Sequence, residues 1–138
     1  REKIDADKII VCGFSVGSAP AARIAALHQP KLLVLVSAFT SIKDVIRSKL
    51  LFRFLAPFCW WRLSTIDYVR ELRSTALVLL HGTRDNIVPA KHAEQLEKAY
   101  CGSGGVERIM LEGLDHNMVF YSGMKQLGEA ALRVIEPA

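Results

Sequence analysis

Gly13-Phe14-Ser15-Val16-Gly17 sets a serine between two glycines, directly after the branched apolar run Lys8 to Cys12 and directly before a helical pattern, Ser18 to His28. A serine hydroxyl is a poor nucleophile until a base takes its proton, so a histidine and an acid must be found elsewhere in the chain. His116 stands in Leu111-Glu112-Gly113-Leu114-Asp115-His116-Asn117, and Asp85 stands in His81-Gly82-Thr83-Arg84-Asp85-Asn86-Ile87-Val88-Pro89. Each follows a different apolar run, so loops at the carboxyl ends of parallel strands would bring all three to one rim of a sheet. Together they are the set that transfers an acyl group through a covalent intermediate.

Gly-x-Ser-x-Gly alone is a weak signal, because glycine and serine are common in turns. A structural Gly-Ser turn is the plain alternative. The strand before it and the helix after it make the setting of a nucleophile elbow. In such an elbow the serine backbone is strained, and Gly13 and Gly17 are expected to remove side chains that would clash. The following helix N-terminus favours developing negative charge.

Other residues compete for these roles. Asp115 adjoins His116, but a neighbour in the same tight loop is badly placed to accept from its ring. Asp44 follows the second apolar run by several residues and ranks behind both other acids. His81 is expected at a strand end, hydrogen-bonded near the acid loop. His28 and His92 fall on helical patterns and are expected at the surface. Cys12 is expected to be a small core residue rather than a second nucleophile. Arg84 and Asn86 fit either a brace for the acid loop or a solvated turn.

The elements that must position these groups alternate. Lys8 to Cys12, Leu32 to Ser37, Ala76 to His81 and Val106 to Leu111 lack polar alternation, as expected of parallel strands buried on both faces. Helical patterns cover Ser18 to His28, stopped by Pro30, and Ala90 to Tyr100, opened by Pro89 and closed by Gly102. A last one covers Met118 to Glu136. Strand-helix-strand repetition argues an α/β fold with right-handed crossovers. The 138 residues are most simply one domain, residues 1–138, and 51% hydrophobic residues exclude disorder. The net charge of +4 comes without a Lys/Arg block, which speaks against a nucleic-acid module. No apolar run is long enough to span a bilayer, and no signal peptide is visible. Cys12, Cys59 and Cys101 are odd in number and match no zinc pattern, so reduced thiols in the cytoplasm are expected.

The chain resembles the α/β-hydrolase-domain serine hydrolases along nearly its whole length. "IDADKIIVCGFSVGSAP" is similar to the family's strand and elbow, "ALVLLHGTRDNIVPAKHAEQLEKAY" to its acid strand and following helix, and "VERIMLEGLDHNMVFY" to its histidine loop. The order Ser15, Asp85, His116 is the family's chain order. The nearest branch is the palmitoyl-protein thioesterase-like, or depalmitoylase-like, group. The resemblance implies Ser15 as nucleophile, Asp85 as acid and His116 as base. It implies an ester or thioester (acyl) substrate, with lipidated protein as one form, and the Val16 backbone N–H as oxyanion donor. No metal or organic cofactor is needed for that chemistry. Hydrolysis is then expected to fall as pH drops through the imidazole range, near a reference of about 6.5. A non-catalytic interaction module on a degenerate or truncated hydrolase fold is the competing class.

Residues 40–66 depart from a plain crossover. Phe52, Phe54, Phe58, Trp60 and Trp61 interleave there with Lys43, Arg47, Lys49, Arg53 and Arg62. The resemblance implies a lid or cap at this position, with Phe14, Trp60 and Trp61 as substrate-binding candidates. An aromatic, basic lid would hold an acyl chain or rest peripherally on an anionic membrane. The same aromatics would equally serve as core on the sheet.

Finally, the chain starts with Arg1 and reaches its elbow within a dozen residues. In the family, earlier strands precede the elbow. The expectation is therefore a C-terminal part of the fold, with the missing N-terminal half of the same domain as partner. Its second oxyanion donor would lie outside the chain, and alone it would be inactive and poorly stable.

Overall fold

The computed structural model describes residues 4–48 and 63–135. Leu32–Val36 forms β2 and Ala76–Gly82 forms β3, and every residue of both is buried. Two consecutive apolar faces per strand permit this only if both faces of the sheet are covered. They are. Leu33 and Leu35 of β2 and Leu77 and Leu79 of β3 face one core, shared with Ala21, Ala22, Ala25, Val69 and Leu96. Their alternates Leu32, Val34, Val36, Ala76, Val78 and Leu80 face a second core with Val119 and Ala130. Truncating one of these buried leucines to alanine would cost about 2–5 kcal/mol.

Ile10–Phe14 (β1) and Val106–Leu111 (β4) flank this centre, giving the all-parallel order β1-β2-β3-β4. The register sets Phe14 opposite Val36, Leu32 opposite Ala76, and Gly82 opposite Leu111. Three strand ends therefore lie side by side at the carboxyl rim. The expectation that all four strands are buried on both faces fails for β1 and β4. Among the described residues each pairs on one side only, and Ile10 is 48% exposed. β1 also begins two residues later than the sequence suggests, because Ala6–Lys8 turns as a short 3₁₀ helix. Cys12 is exposed, not core, because it lies on this edge strand.

Ser18–His28 (α1), Thr65–Arg70 (α3) and Lys91–Ala99 (α4) cover the first face. Ile42–Ser48 (α2) precedes α3. Alanines in α1 let the helix approach β1 and β2 closely, and Gln29 ends it in the left-handed conformation (φ 47°). Met118–Ser122 (α5) and Met124–Ile135 (α6) cover the second face. The sequence suggests one helix there. Gly123 breaks it, where a side chain would meet Leu80, Leu111 and the Val119 carbonyl at 2.6–2.8 Å. No helix among the described residues is long and apolar enough to cross a membrane.

Residues 49–62 of the expected lid, residues 40–66, lie outside the described residues, Trp60 and Trp61 included. Its two ends are joined. Ile42 N–H donates to the Leu63 carbonyl at 3.0 Å and Ile66 N–H to the Thr40 carbonyl at 3.0 Å. The segment thus leaves and returns at one point beside the end of β2.

Candidate active site

Ser15 occupies the step from β1 to α1 with φ 51°. A non-glycine residue in this region carries about 1–3 kcal/mol of strain, held by the surrounding structure. The buried Ser18 hydroxyl donates to the Ser15 carbonyl at 2.6 Å and helps hold it. Gly13 is obligatory for the turn: a Cβ there would lie 2.6 Å from the Gly17 carbonyl and 2.9 Å from Ser18 Cα. Gly17 is different. A Cβ there meets nothing within 4 Å, and its φ of −68° suits any residue. The expected clash at Gly17 is absent because that position already points outward from the first helical turn.

His116 lies in the loop between β4 and α5, and Asp85 in the loop between β3 and α4. Both are 6% exposed. The Ser15 hydroxyl lies 2.8 Å from His116 Nε2 and can donate to it. His116 Nδ1–H faces Asp85 Oδ2 at 2.7 Å. A carboxylate at Nδ1 places the neutral ring's proton there and leaves Nε2 as the acceptor. The geometry therefore permits proton transfer from the serine as its oxygen attacks an electrophile.

Asp85 is held on every side. Its Oδ1 accepts from the N–H groups of Ile87 at 2.9 Å and Val88 at 2.7 Å. His81 Nε2 lies 3.4 Å from Oδ2 and donates to the Val88 carbonyl at 2.8 Å. Burial alone pushes this carboxyl up. Hydrogen bonds from His81, Val88, His116 and Ile87 outweigh it and hold the pKa at about 2. Asp85 is therefore an anion at neutral pH, and His81 is the strand-end brace expected of it.

The competing acids are engaged elsewhere. Asp115 Oδ1 accepts from the N–H groups of Asn117 and Met118 and so caps α5. Asp44 accepts from the hydroxyls of Thr40 and Ser41 at 2.9 and 2.7 Å. Arg84 is exposed. His28 is exposed as expected, but His92 is buried at 1% exposure. It is covered because α4 turns His92, Ala93 and Leu96 inward together. Its ring receives the Thr40 N–H at Nδ1, 3.2 Å away.

Phe14 is half-buried with its ring centroid 5.4 Å from that of His116 and 5.3 Å from that of Phe120. It bounds the cluster beside His116. The Val16 N–H lies in the first turn after the strained serine, where N–H groups lack intrahelical acceptors and can serve an anion. Two contributors went unseen in the sequence. Ser37, at φ 49° after β2, lies with its hydroxyl 3.5 Å from the His116 carbonyl. Phe120 backs Phe14. Neither stands in a motif, and only the packing of distant segments reveals them.

A serine turned into the left-handed region between a parallel strand and a helix, with acid and histidine on the loops after β3 and β4, is the arrangement of the α/β-hydrolase fold. Solved structures share it. The esterase domain of a Rhodothermus marinus protein matches with a TM-score of 0.67 and 23% identity, over 91% of this chain and 60% of that one. In sequence, the chain is 35% identical over 100 residues to the protein bem46 of Schizosaccharomyces pombe, covering 70% of this chain and 33% of bem46. It is 28% identical over 119 residues to human alpha/beta hydrolase domain-containing protein 17B, covering 86% of this chain and 39% of that protein. It thus spans well under half the length of either relative. No family model matches the chain. Relatives and fold together support an α/β-hydrolase family.

Proposed function

We propose that this chain carries the catalytic groups of a serine hydrolase that cleaves an ester or thioester acyl bond. The observation that supports this most is the continuous path Ser15 Oγ, His116 Nε2, His116 Nδ1, Asp85 Oδ2, with steps of 2.8 and 2.7 Å and a strained serine at its head. Ser15 Oγ attacks the carbonyl carbon as His116 takes its proton. Asp85 stabilises the imidazolium. The oxyanion forms against the Val16 N–H, a donor whose loss typically costs about 10²–10³ in rate. Collapse expels the alcohol or thiol, which leaves with the proton from His116. Water, activated by His116 in turn, then releases the acid and restores the serine.

Within this class we favour long-chain acyl thioesters, as in lipidated proteins, for a depalmitoylase-like enzyme of the cytoplasm working at a membrane surface. The aromatic pair Phe14 and Phe120 beside His116 supports an apolar acyl group. The lid role of residues 40–66 is part of this reading, and their joined ends fit it. The exposed edge of β1 fits a further strand and a second oxyanion donor from polypeptide outside residues 1–138.

A panel of acyl thioesters, esters and peptides, presented to the full-length protein, tests the reading. The expected result is Ser15-dependent turnover that rises with acyl length and falls back to the short-chain level in Trp60→Ala/Trp61→Ala. Turnover of the peptides alone would sink the acyl-ester reading. No Ser15-dependent turnover of any substrate would favour the interaction module.

A further inference from the structure

A second concave site lies away from Ser15. It is a cavity of about 440 Å³ between α2, α3 and α4, and it contains none of Ser15, Asp85 or His116. Three helices turn one face toward it. α4 contributes Lys91 and Lys98, α3 contributes Arg70, and α2 contributes Arg47. Asp44 is the one carboxylate among the described lining residues. It is committed to the hydroxyls of Thr40 and Ser41, which help hold it ionised, and Arg47 stands 3.6 Å from it. Arg70 is paired with Asp67 at 3.1 Å. Lys91 and Lys98 have no ion-pair partner among the described residues. Four cations thus surround one already engaged anion.

The buried wall adds a second, independent observation. His92 also lines the cavity and is 1% exposed. The Thr40 N–H can only donate, so His92 Nδ1 accepts and the ring proton sits on Nε2. That Nε2–H has no acceptor among the described residues. A buried donor without a partner is costly.

We infer that this cavity is an anion site for a phosphate group, carried by a soluble phosphate compound or by a lipid headgroup. Guanidinium forks and lysine ammonium groups are the usual partners of phosphate oxygens, and the excess of cations suits a doubly charged group. Two of its walls, α3 and α4, belong to the sheet face they share with α1, and the Ser15 hydroxyl is not part of its lining. The inference does not rest on the proposed catalysis.

The test compares the wild type with Lys91→Gln/Lys98→Gln, two exposed positions whose change leaves the core intact, and with Lys125→Gln on α6 as a control. Inorganic phosphate is titrated against chloride at equal ionic strength, by calorimetry and thermal shift. In parallel, phosphatidylcholine vesicles are compared with vesicles containing phosphatidic acid. Saturable phosphate binding, weakened at least about tenfold in the double variant and unchanged in Lys125→Gln, supports a soluble ligand. Binding only to the phosphatidic acid vesicles, with the same dependence on the two lysines, supports a headgroup. Equal responses to phosphate and chloride without selective vesicle binding overturn the inference. So does binding that survives in the double variant, or that is lost in Ser15→Ala, which would place the anion at the other site.

Discussion

His116, in the loop after β4, and His92, in the first turn of α4, are both buried, and each has an aspartate close by. Only one of them is wired for proton transfer. His116 has a carboxylate at Nδ1 and a hydroxyl at Nε2. His92 spends its Nδ1 on a backbone N–H, and its aspartate, Asp44, reaches it only through Thr40. Burial, together with the positive charge of Lys91, outweighs the Asp44 charge and lowers the His92 pKa to about 4. It is a neutral hydrogen-bonding group across the ordinary range. Chemistry at a histidine comes from what stands at each ring nitrogen, not from burial or from an acid nearby.

The largest contrast is expected in activity. Ser15→Ala or His116→Gln should lower kcat/KM by about 10⁴ or more, because nucleophile and base act as a unit. His92→Gln should lower it by less than about tenfold. Steady-state kinetics on the preferred acyl substrate decides this, and equal losses at both histidines would erase the distinction. Asp85→Asn comes next, with a loss of about 10³–10⁴ through the wrong imidazole tautomer. Asp44→Asn should stay within about tenfold of wild type, since its carboxylate touches no reacting group.

The two glycines of the elbow sharpen the contrast at the level of backbone. Gly13→Ala forces a methyl into the Gly17 carbonyl and should cost about 1–3 kcal/mol. It should also lower activity about 10–10²-fold by displacing Ser15. Gly17→Ala should change stability by less than about 0.5 kcal/mol. Chemical denaturation of both variants, with activity at each, checks this.

The last contrast between the two histidines concerns pH. His92 binds its proton less readily folded than unfolded, so the unfolded chain holds more protons between about pH 6.5 and 4. Stability is therefore full above that window and falls as pH drops through it, by up to about 3 kcal/mol from this group. His92→Gln should flatten that part of the stability curve. Asp85 acts in a lower window: its depressed pKa stabilises the fold above about pH 4, and that contribution is lost toward pH 2. Urea midpoints from pH 7 to pH 4, compared between wild type and His92→Gln, isolate the His92 part, because the Asp85 window lies below that range.

The α/β order was legible in the sequence, and so was the set of three groups, Ser15, Asp85 and His116, that the fold brings together, because each follows the end of an apolar run. That signal is local: a strand must stop, and the loop after it faces the rim. α1 and β4 were readable to their terminal residues for the same reason. What depends on distant neighbours was not. Cys12 and Ile10 carry the composition of a central strand and lie on an edge. His92 belongs to an arc, His92, Ala93 and Leu96, that a helical projection marks as inward. Its burial was still invisible without the loop after β2 that covers it. Gly123 divides the last helix because of Leu80 and Leu111, which are far away in sequence. Ser37 adopts its left-handed conformation with no glycine to announce it.

The proposed chemistry requires Ser15 to be an activated nucleophile. Incubation with a fluorophosphonate, followed by intact mass and peptide mapping, measures this directly. The expected result is one adduct per chain on Ser15, absent in Ser15→Ala, strongly slowed in His116→Gln and retained in His92→Gln. A protein that stays folded but takes no adduct at Ser15, or labels equally fast without His116, would contradict the claim.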